Sequence, residues 1–268
     1  MIERSLTAYR AIFAARFRVL LQYRTAAAAG LVTQLFWGLI RVMIFEAFYR
    51  SSGSPQPLSF ADVVSYVWLG QATILLIPWS VDTEVRALVR TGGVAYELLR
   101  PLDLYWHWFV RSLALRTAPT LLRAIPLLLL ATLFFGLRLP ATAGAACGWI
   151  ALTGAAVLLS SAITTLVNIT LLWTVSGDGI ARLMPTVAYL FSGMILPLPL
   201  YPDWAQQLVN FLPFRGLIDV PFRVYLGNLP VEQVPVLLLQ QLAWIAVLIG
   251  FGRWLLGRAR LRLVVQGG

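Results

Sequence analysis

The feature that most constrains this chain is a run of 39 residues, from Leu139 to Gly177, without a single charged side chain. A membrane-spanning helix needs about 20 consecutive, mostly apolar residues. The run is long enough to cross a bilayer and too long for one straight span, so part of it must lie in a loop or at the interface. This length of uncharged chain predicts a protein embedded in lipid.

The composition agrees with lipid as the solvent. Of the 268 residues, 59% are hydrophobic and 12% are charged, whereas a soluble domain carries about 25% charged residues. The 21 basic residues, all arginine, outnumber the 11 acidic ones, which would also suit a nucleic-acid-binding protein. Such a protein would need a water-soluble surface, so no nucleic-acid partner is expected.

Besides that run, five stretches are apolar enough to span the membrane. They are Thr25–Tyr49, Val63–Val81, Thr117–Leu137, Leu183–Pro202 and Gln233–Gly252. The predicted fold is therefore an all-α, polytopic membrane protein with six transmembrane helices. Because no internal repeat or linker divides the chain, residues 1–268 are predicted to form a single domain.

Arginine placement predicts the orientation, since basic residues accumulate in cytoplasmic loops. With the N-terminus inside, the inner segments contain 13 arginines and the outer segments contain 4. Both termini are therefore predicted to face the cytoplasm. The predicted inner segments are 1–24, 82–103, 175–182 and 253–268.

The N-terminal segment, residues 1–24, has the pattern of an amphipathic helix. Leu6, Tyr9, Phe13 and Phe17 recur at helical spacing, while most charges fall elsewhere. This pattern favours a helix lying in the inner membrane interface over an extension of the first span.

Residues 197–230 are predicted to lie outside, between the fifth and sixth spans. Six prolines in this segment exclude a long helix. Trp204, Leu208, Phe211 and Leu212 still make one short apolar face. We therefore expect short helices that re-enter the outer leaflet or cap the bundle.

No motif in the chain predicts catalysis or metal binding. His107 and Cys147 are the only residues of their types, so neither can belong to a His or Cys cluster. His107 stands in LYWHWF, an aromatic cluster typical of an interfacial belt. The phosphate-cradling G-x-x-x-x-G-K-[ST] motif is excluded because the chain has no lysine. The chain is therefore predicted not to be an enzyme and not to hydrolyse ATP by itself.

One segment superficially suggests an enzyme. Ser176–Arg182 reads SGDGIAR, close to the D-G-x-x-A-R signature of membrane enzymes that transfer phospho-alcohol head groups. The spacing is one residue short, and the further aspartates needed to hold a divalent metal do not follow. The segment favours a tight inner turn in which Asp178 caps the next helix.

Polar side chains within the spans have two possible roles. Such groups can hydrogen-bond one helix to another, or they can line a substrate path. The sequence leaves both roles open for Gln34, Gln71, Thr164, Thr165 and Asn168.

A charged loop between the second and third spans reads VRTGGVAYELLRPLD, from Val89 to Asp103. Gly92 and Gly93 permit a turn. Tyr96–Arg100 is predicted to form a short helix that ends at Pro101, because proline disfavours helix in the preceding residue. A short charged helix held away from the bilayer suits docking onto a soluble partner.

Taken together, these segments resemble the membrane subunit of an ABC-2-type transporter with six spans and separate ATPase subunits. The glycine turn and LLRPLD resemble that family's coupling helix, and SGMILPLPLYPDWAQQLVNFLPFR resembles its proline-rich passage into external re-entrant helices. The amphipathic N-terminal helix is the third shared element. Glu84 is followed by Val85 and Arg86, so the E-A-A-x-x-x-G signature of importers is not met, which favours export.

The resemblance implies an exporter of an amphiphilic, lipid-like or drug-like substrate in the cell membrane of a bacterium. It implies a pair of ATP-binding cassette subunits, a second permease subunit, identical or homologous, and surrounding membrane lipids. ATP and Mg would be bound by the partner ATPase, with no cofactor in this chain. A membrane lipid-modifying enzyme or a membrane scaffold is the alternative. The residues implied in ATPase coupling are Gly92, Gly93, Glu97, Arg100, Pro101 and Asp103.

Overall fold

The computed structural model describes residues 2–79, 81–173 and 178–261, and all regular structure in these ranges is helical. The chain opens with α1 (Ile2–Leu21), which agrees with the helix predicted within residues 1–24. Helix α1 packs along the long helix of residues Leu104–Phe134. It is followed by α2 (Arg24–Ser51), a mostly exposed helix of 28 residues in the position of the first predicted span.

The second predicted span is shorter than expected. Helix α3 (Phe60–Thr73) continues as a 3-10 turn, Ile74–Leu76, and stops before Pro78. The two together are about 26 Å long, somewhat less than the roughly 30 Å of a hydrocarbon core. Nearly every side chain from Val63 to Thr73 is buried, so α3 lies inside the helical bundle.

The charged loop, taken from here on as the whole predicted inner segment 82–103, contains two short helices, α4 (Thr83–Arg90) and α5 (Val94–Leu98). The helix predicted at Tyr96–Arg100 therefore begins two residues earlier and ends before Arg100. Helix α4 was not predicted. It forms because Asp82 caps its first turn with side-chain hydrogen bonds.

The next two helices are long. Helix α6 (Leu104–Phe134) begins 13 residues before the predicted third span, because Asp103 caps it at that point. Helix α7 (Ala143–Thr170) takes up most of the uncharged run, and the rest of the run lies outside this helix, as predicted. Residues 174–177 lie outside the described part of the chain, and they include the first two residues of the turn predicted in Ser176–Arg182.

The remaining helices are α8 (Asp178–Phe191), α9 (Asp203–Phe211), α10 (Asp219–Tyr225) and α11 (Val234–Arg260). Helix α8 ends well before the predicted limit of the fifth span at Pro202, because Gly193 turns the chain with a φ of 90°. The segment 197–230 is built of short helices, as predicted. Three 3-10 turns lie beside them, at Leu198–Leu200, Pro213–Leu217 and Val231–Gln233.

Four helices in the described part of the chain are long and apolar enough to cross a membrane. They correspond to the first, third, fourth and sixth predicted spans. The second and fifth predicted spans are the short apolar helices α3 and α8, so the prediction of six full-length transmembrane helices is confirmed only in part. The four long segments are Arg24–Ser51, Leu104–Phe134, Ala143–Thr170 and Val231–Arg260.

The core lies around α7, which packs against α6, α10 and α11. Large aromatic side chains fill the space between these helices and α3, and among them Trp68 and Trp108 are fully buried. Tyr105 and His107 are buried as well. The prediction that LYWHWF forms an interfacial belt is therefore wrong for most of its side chains, because α6 turns them toward α5 and the core.

Helices α2 and α3 approach each other closely at Gly38. A Cβ atom at this position would lie 2.4 Å from the Trp68 ring. That ring is held in place, because Trp68 Nε1 donates a hydrogen bond of 2.9 Å to the Phe135 carbonyl. The missing side chain at Gly38 therefore permits the contact between the two helices.

We predict that Gly38→Ala destabilises the protein, because the methyl group overlaps a ring that cannot retreat. Overpacking of this kind costs about 1–3 kcal/mol. The thermal unfolding midpoint of the purified protein should fall. Gly154→Ala, at a helical glycine with open space around it, is the matched control and should not lower the midpoint. Equal midpoints for the two variants would contradict the packing described here.

Candidate functional site

Asp82 is the buried centre of an ionic cluster at the predicted cytoplasmic end of the helices. Its Oδ1 accepts hydrogen bonds from the backbone N–H groups of Glu84, at 2.9 Å, and Val85, at 3.5 Å, which begins α4. Its Oδ2 accepts hydrogen bonds from Nε and Nη2 of Arg111, at 3.1 and 3.0 Å. One buried carboxylate therefore both caps α4 and ties it to α6.

Glu84 and Arg16 extend this cluster to α1. Glu84 accepts hydrogen bonds from Arg111 Nη2, at 2.6 Å, and from Arg16 Nη1. Arg16 Nη2 also lies 3.8 Å from Asp82 Oδ1. Burial would raise the pKa of Glu84, but the hydrogen bonds from Arg16 and Arg111 outweigh burial and lower that pKa. Glu84 is therefore ionised at neutral pH, and two arginines face two carboxylates.

Asn168 adds α7 to the same cluster. Its Oδ1 accepts a hydrogen bond of 3.1 Å from the backbone N–H of Asp82, and the side chain is fully buried. Helices α1, α4, α6 and α7 consequently meet at one group of interlocked polar side chains. We call Arg16, Asp82, Glu84, Arg111 and Asn168 the inner cluster.

Arg116 lies between one and two turns after Arg111 on α6. Its side chain donates hydrogen bonds to the backbone carbonyls that follow α3. Its Nη1 donates to the carbonyl oxygens of Leu75 and Ile77, at 3.1 and 3.0 Å. Its Nε and Nη2 donate to Thr164 Oγ1, at 3.2 and 3.0 Å. The last carbonyls of a helix have no partner within that helix, and a buried arginine supplies donors where water is excluded.

The three polar residues predicted on α7 are used within the chain. Thr164 binds Arg116, and Asn168 belongs to the inner cluster. Thr165 donates a hydrogen bond of 2.7 Å to the Ser161 carbonyl. All three side chains are buried. Their placement favours the first of the two roles left open above, hydrogen bonding within and between helices.

The charged loop folds against the start of α6 through Glu97. Glu97 Oε2 accepts a hydrogen bond of 2.9 Å from Trp108 Nε1, and Oε1 lies 3.5 Å from His107 Nε2. Burial would raise the pKa of Glu97, but the adjacent His107 imidazole and the hydrogen bond from Trp108 outweigh it and lower that pKa to about 2. Only 6% of Glu97 is exposed, so its carboxylate binds the loop to its own protein.

The other predicted coupling residues lie in the same connection. Gly92 turns the chain with a φ of 71°, and Gly93 starts α5. Arg100 and Pro101 are exposed, whereas Asp103 caps α6 by accepting a hydrogen bond of 3.1 Å from the Trp106 N–H.

Helix α1 also contacts the end of this loop, because the Asp103 N–H donates a hydrogen bond of 3.0 Å to the Tyr9 hydroxyl. The outward surface of the loop is partly apolar. Tyr96 is 76% exposed and Leu99 is 81% exposed. Tyr96, Leu99 and Arg100 are therefore among the loop residues that a partner could reach.

The two predicted glutamines face a cavity between α2, α3 and α8. The cavity has a volume of about 280 Å³. A second cavity of about 570 Å³ adjoins it and shares Trp37, Arg41 and Tyr189. The first is lined mainly by apolar surface, to which Thr33, Gln34 and Gln71 add polar side chains. The second is lined by apolar groups, among them Ile44, Phe45, Phe48, Ile195 and Leu196.

A buried carboxylate fixes the segment that follows α8. Asp219 Oδ1 accepts hydrogen bonds from the Tyr66 hydroxyl, at 3.2 Å, and the Leu198 N–H, at 3.3 Å. Arg223 Nη1 lies 3.6 Å from Asp219 Oδ2. Helix α10 and the turn near Leu198 are thereby attached to α3.

Residues 30–267 match the family of ABC-2 family transporter proteins. No curated protein and no solved structure matches the chain. Because the match covers most of the chain, the protein belongs to the ABC-2 transporter family. It is a multi-pass membrane permease without a catalytic domain.

Sequence reasoning missed the residues that organise the predicted cytoplasmic end. The arginine count gives Arg16 and Arg111 no partner, Asp82 is given no role, and Glu84 serves only to compare loop signatures. A helix-capping pattern was present, since Asp82 precedes the charged helix Thr83–Arg90. The pairing with Arg16 and Arg111 carries no local pattern, because these partners lie far away in the chain.

We predict that Glu97→Gln destabilises the folded protein at neutral pH by about 1–3 kcal/mol, because it removes a buried charged acceptor. A carboxylate whose pKa is lowered by folding contributes stability above its ordinary pKa of 4.5. That contribution is lost as the pH falls toward about 2. The thermal midpoints of wild type and Glu97→Gln should therefore differ at pH 7. They should converge progressively as the pH falls from about 4.5 toward about 2.

Glu232→Gln is the control for this comparison, because Glu232 is exposed. It should match wild type throughout the titration. A difference between wild type and Glu97→Gln that stayed constant from neutral to acidic pH would contradict the role given to the Glu97 charge.

Proposed function

We propose that this permease works in an ABC exporter, in which a separate pair of ATP-binding subunits drives an amphiphilic, lipid-like or drug-like molecule out of the cytoplasm or inner leaflet. The observation that carries the proposal is the inner cluster. It connects a charged loop, with an exposed apolar tip, directly to three further helices. A membrane enzyme or a passive scaffold has no need of such a connection.

The ATPase would contact the tip of α5 and the turn after it. Tyr96, Leu99 and Arg100 form an exposed surface with two apolar side chains and one cation, a composition typical of the centre of a binding interface. Glu97 and Asp103, in contrast, are positioning residues, because they hold the loop on α6. Gly92, Gly93 and Pro101 set its backbone path.

A movement imposed on this loop would pass into the bundle through the inner cluster. Asp82 and Glu84 belong to the loop, whereas Arg16, Arg111 and Asn168 belong to α1, α6 and α7. The ATPase can bias the bundle only through contacts that differ between two states. The inner cluster allows α1, α4 and the cytoplasmic end of α6 to move as one body between those states.

The chain would cross the membrane six times, with both termini in the cytoplasm of a bacterial cell. The four long helices and the shorter α3 and α8 would form the crossings, and the irregular segments beside α3 and α8 would complete their length. The short helices α9 and α10 would lie at the outer surface. Trp204, Leu208 and Phe211 on α9 are exposed and apolar, which suits a helix that dips into the outer leaflet.

The substrate would pass along the α2–α3–α8 cavities rather than through α7. Gln34 and Gln71 line these cavities, whereas Thr164, Thr165 and Asn168 are buried and make hydrogen bonds with Arg116, Ser161 and Asp82. The exposed face of α2 would adjoin the second permease subunit, identical or homologous, so that the path lies near the interface of the pair.

We predict that Tyr96→Ser combined with Leu99→Ser reduces co-purification of the co-expressed ATPase at least tenfold. Truncating central apolar residues of an interface commonly costs 2 kcal/mol or more. The amount of ATPase retained on the tagged permease is the measurement. Leu139→Ser is the matched control, because Leu139 is also exposed but lies at the opposite end of the molecule.

Transport itself is measured as ATP-dependent accumulation of amphiphiles in inverted vesicles. The double variant should lose this accumulation and the control should keep it. Full ATPase retention with normal accumulation in the double variant would refute the docking surface. Accumulation of small hydrophilic ions alone would refute the substrate class.

A further inference from the structure

The α2–α3–α8 cavities contain polar atoms that the chain itself leaves without partners. Gln34 is 4% exposed and Gln71 is 2% exposed, yet both polar atoms of the Gln34 amide and the Gln71 Oε1 make no hydrogen bond. Buried amides are normally paired, because an unpaired one is costly. Both residues line the smaller cavity, so a ligand there could supply the missing partners.

Arg41 places a positive charge where the two cavities join. Its Nη2 donates a hydrogen bond of 2.9 Å to the Ile195 carbonyl and another to the Met194 carbonyl. No carboxylate in the described part of the chain forms an ion pair with Arg41. Glu46, the acidic residue on the same helix, pairs with Arg50 at 2.6 Å instead. The guanidinium is therefore held in place by neutral carbonyls and keeps its charge uncompensated.

The larger cavity offers an apolar chain a place beside this charge. Ile44, Phe45, Phe48 and Leu196 line it, and Ile44 and Phe48 are exposed. The wall is thus open toward the lipid or the second permease. Its volume falls within the range of about 300–1,000 Å³ typical of ligand pockets.

We propose that these joined cavities bind an amphiphile with an anionic head group, such as a phosphate or carboxylate. Arg41 and the amides of Gln34 and Gln71 bind the head, and the larger cavity holds the apolar chain. This inference rests on the proposed export function and adds the charge of the substrate. A cationic head would be repelled by Arg41, and a fully apolar ligand would leave the glutamine amides unpaired.

The order of groups along α2 agrees with this assignment. Gln34 lies about 15 Å from the start of α2, and Phe48 lies about 21 Å further along the helix. With the N-terminus inside, the polar part is therefore nearer the cytoplasm and the apolar part nearer the outside. An amphiphile that enters from the inner leaflet has the same orientation, with its head inward and its chain outward.

Binding is tested on the purified full-length chain in phosphatidylcholine nanodiscs without nucleotide. The probes are an alkyl phosphate and an alkyltrimethylammonium of equal length, each brominated on the chain to quench tryptophan. The alkyl phosphate should quench saturably, the ammonium should not, and Trp37→Phe should remove the saturable part. Inorganic phosphate should not displace the bound alkyl phosphate.

Three variants test the chemistry of the head site. Arg41→Gln should weaken alkyl phosphate binding about tenfold or more, and Arg41→Lys, which keeps the charge but loses the planar guanidinium, should weaken it less than Arg41→Gln. Gln34→Leu with Gln71→Leu should weaken it several-fold while leaving the Arg41 contacts to the carbonyls intact. Arg123→Gln, at another arginine within a long helix, is the matched control and should bind like wild type.

Equal binding of the two probes would overturn the inference. Unchanged affinity in Arg41→Gln would also overturn it, as would displacement of the probe by inorganic phosphate. If Arg41→Gln does not fold, the two probes are compared on the Gln34→Leu, Gln71→Leu variant instead. A remaining preference for the alkyl phosphate supports the role of Arg41, and equal binding of the two probes contradicts it.

Failure of the export function is distinguishable, because the binding measurement needs neither ATPase nor transport. Selective binding without ATP-dependent accumulation would refute export alone. Accumulation of cationic or neutral amphiphiles by a chain that does not bind the alkyl phosphate would refute the anionic head alone.

Discussion

The buried carboxylate of Asp82 is the interaction on which the predicted cytoplasmic end of this permease depends. It starts α4, receives two hydrogen bonds from Arg111 of α6, and lies beside Arg16 of α1. Removing one partner of a buried ion pair is strongly destabilising, because the other charge is left uncompensated. The loop that would meet the ATPase therefore cannot move without engaging the helices that its charges contact.

Arginine has a second use in this chain, which is to satisfy backbone carbonyls where helices break. Arg116 donates to the carbonyls that follow α3, and Arg41 donates to those that follow α8. In lipid, an irregular segment is tolerated only where its polar groups find partners inside the protein. These two arginines help to explain why α3 and α8 can stop short of a full span. Arg41 also brings a positive charge to the edge of the proposed substrate cavity.

The sequence was sufficient to predict the helical class, the first helix and the short helices of residues 197–230, because each depends on a local pattern of apolar residues, charges or prolines. The sequence could not predict that the helices of the second and fifth spans are short, since the breaks near Ile74 and Gly193 are stabilised by distant arginines. The inner cluster escaped prediction for the same reason. Arg16 and Glu84 come together only through the packing of α1 on α6, and the burial of Glu97 depends on Trp108 on the following helix.

We propose that the inner cluster makes α1 and α4 one rigid body, through which movement of the ATPase would reach the other helices. The direct measurement is the distance between spin labels at Ala11→Cys and Ala87→Cys, in a Cys147→Ser background, for the complex with and without ATP. Both positions are exposed. We expect the same narrow distance distribution with and without ATP, and a broader distribution when Asp82→Asn is added. A clear change of this distance on ATP binding to the otherwise unaltered complex would contradict it.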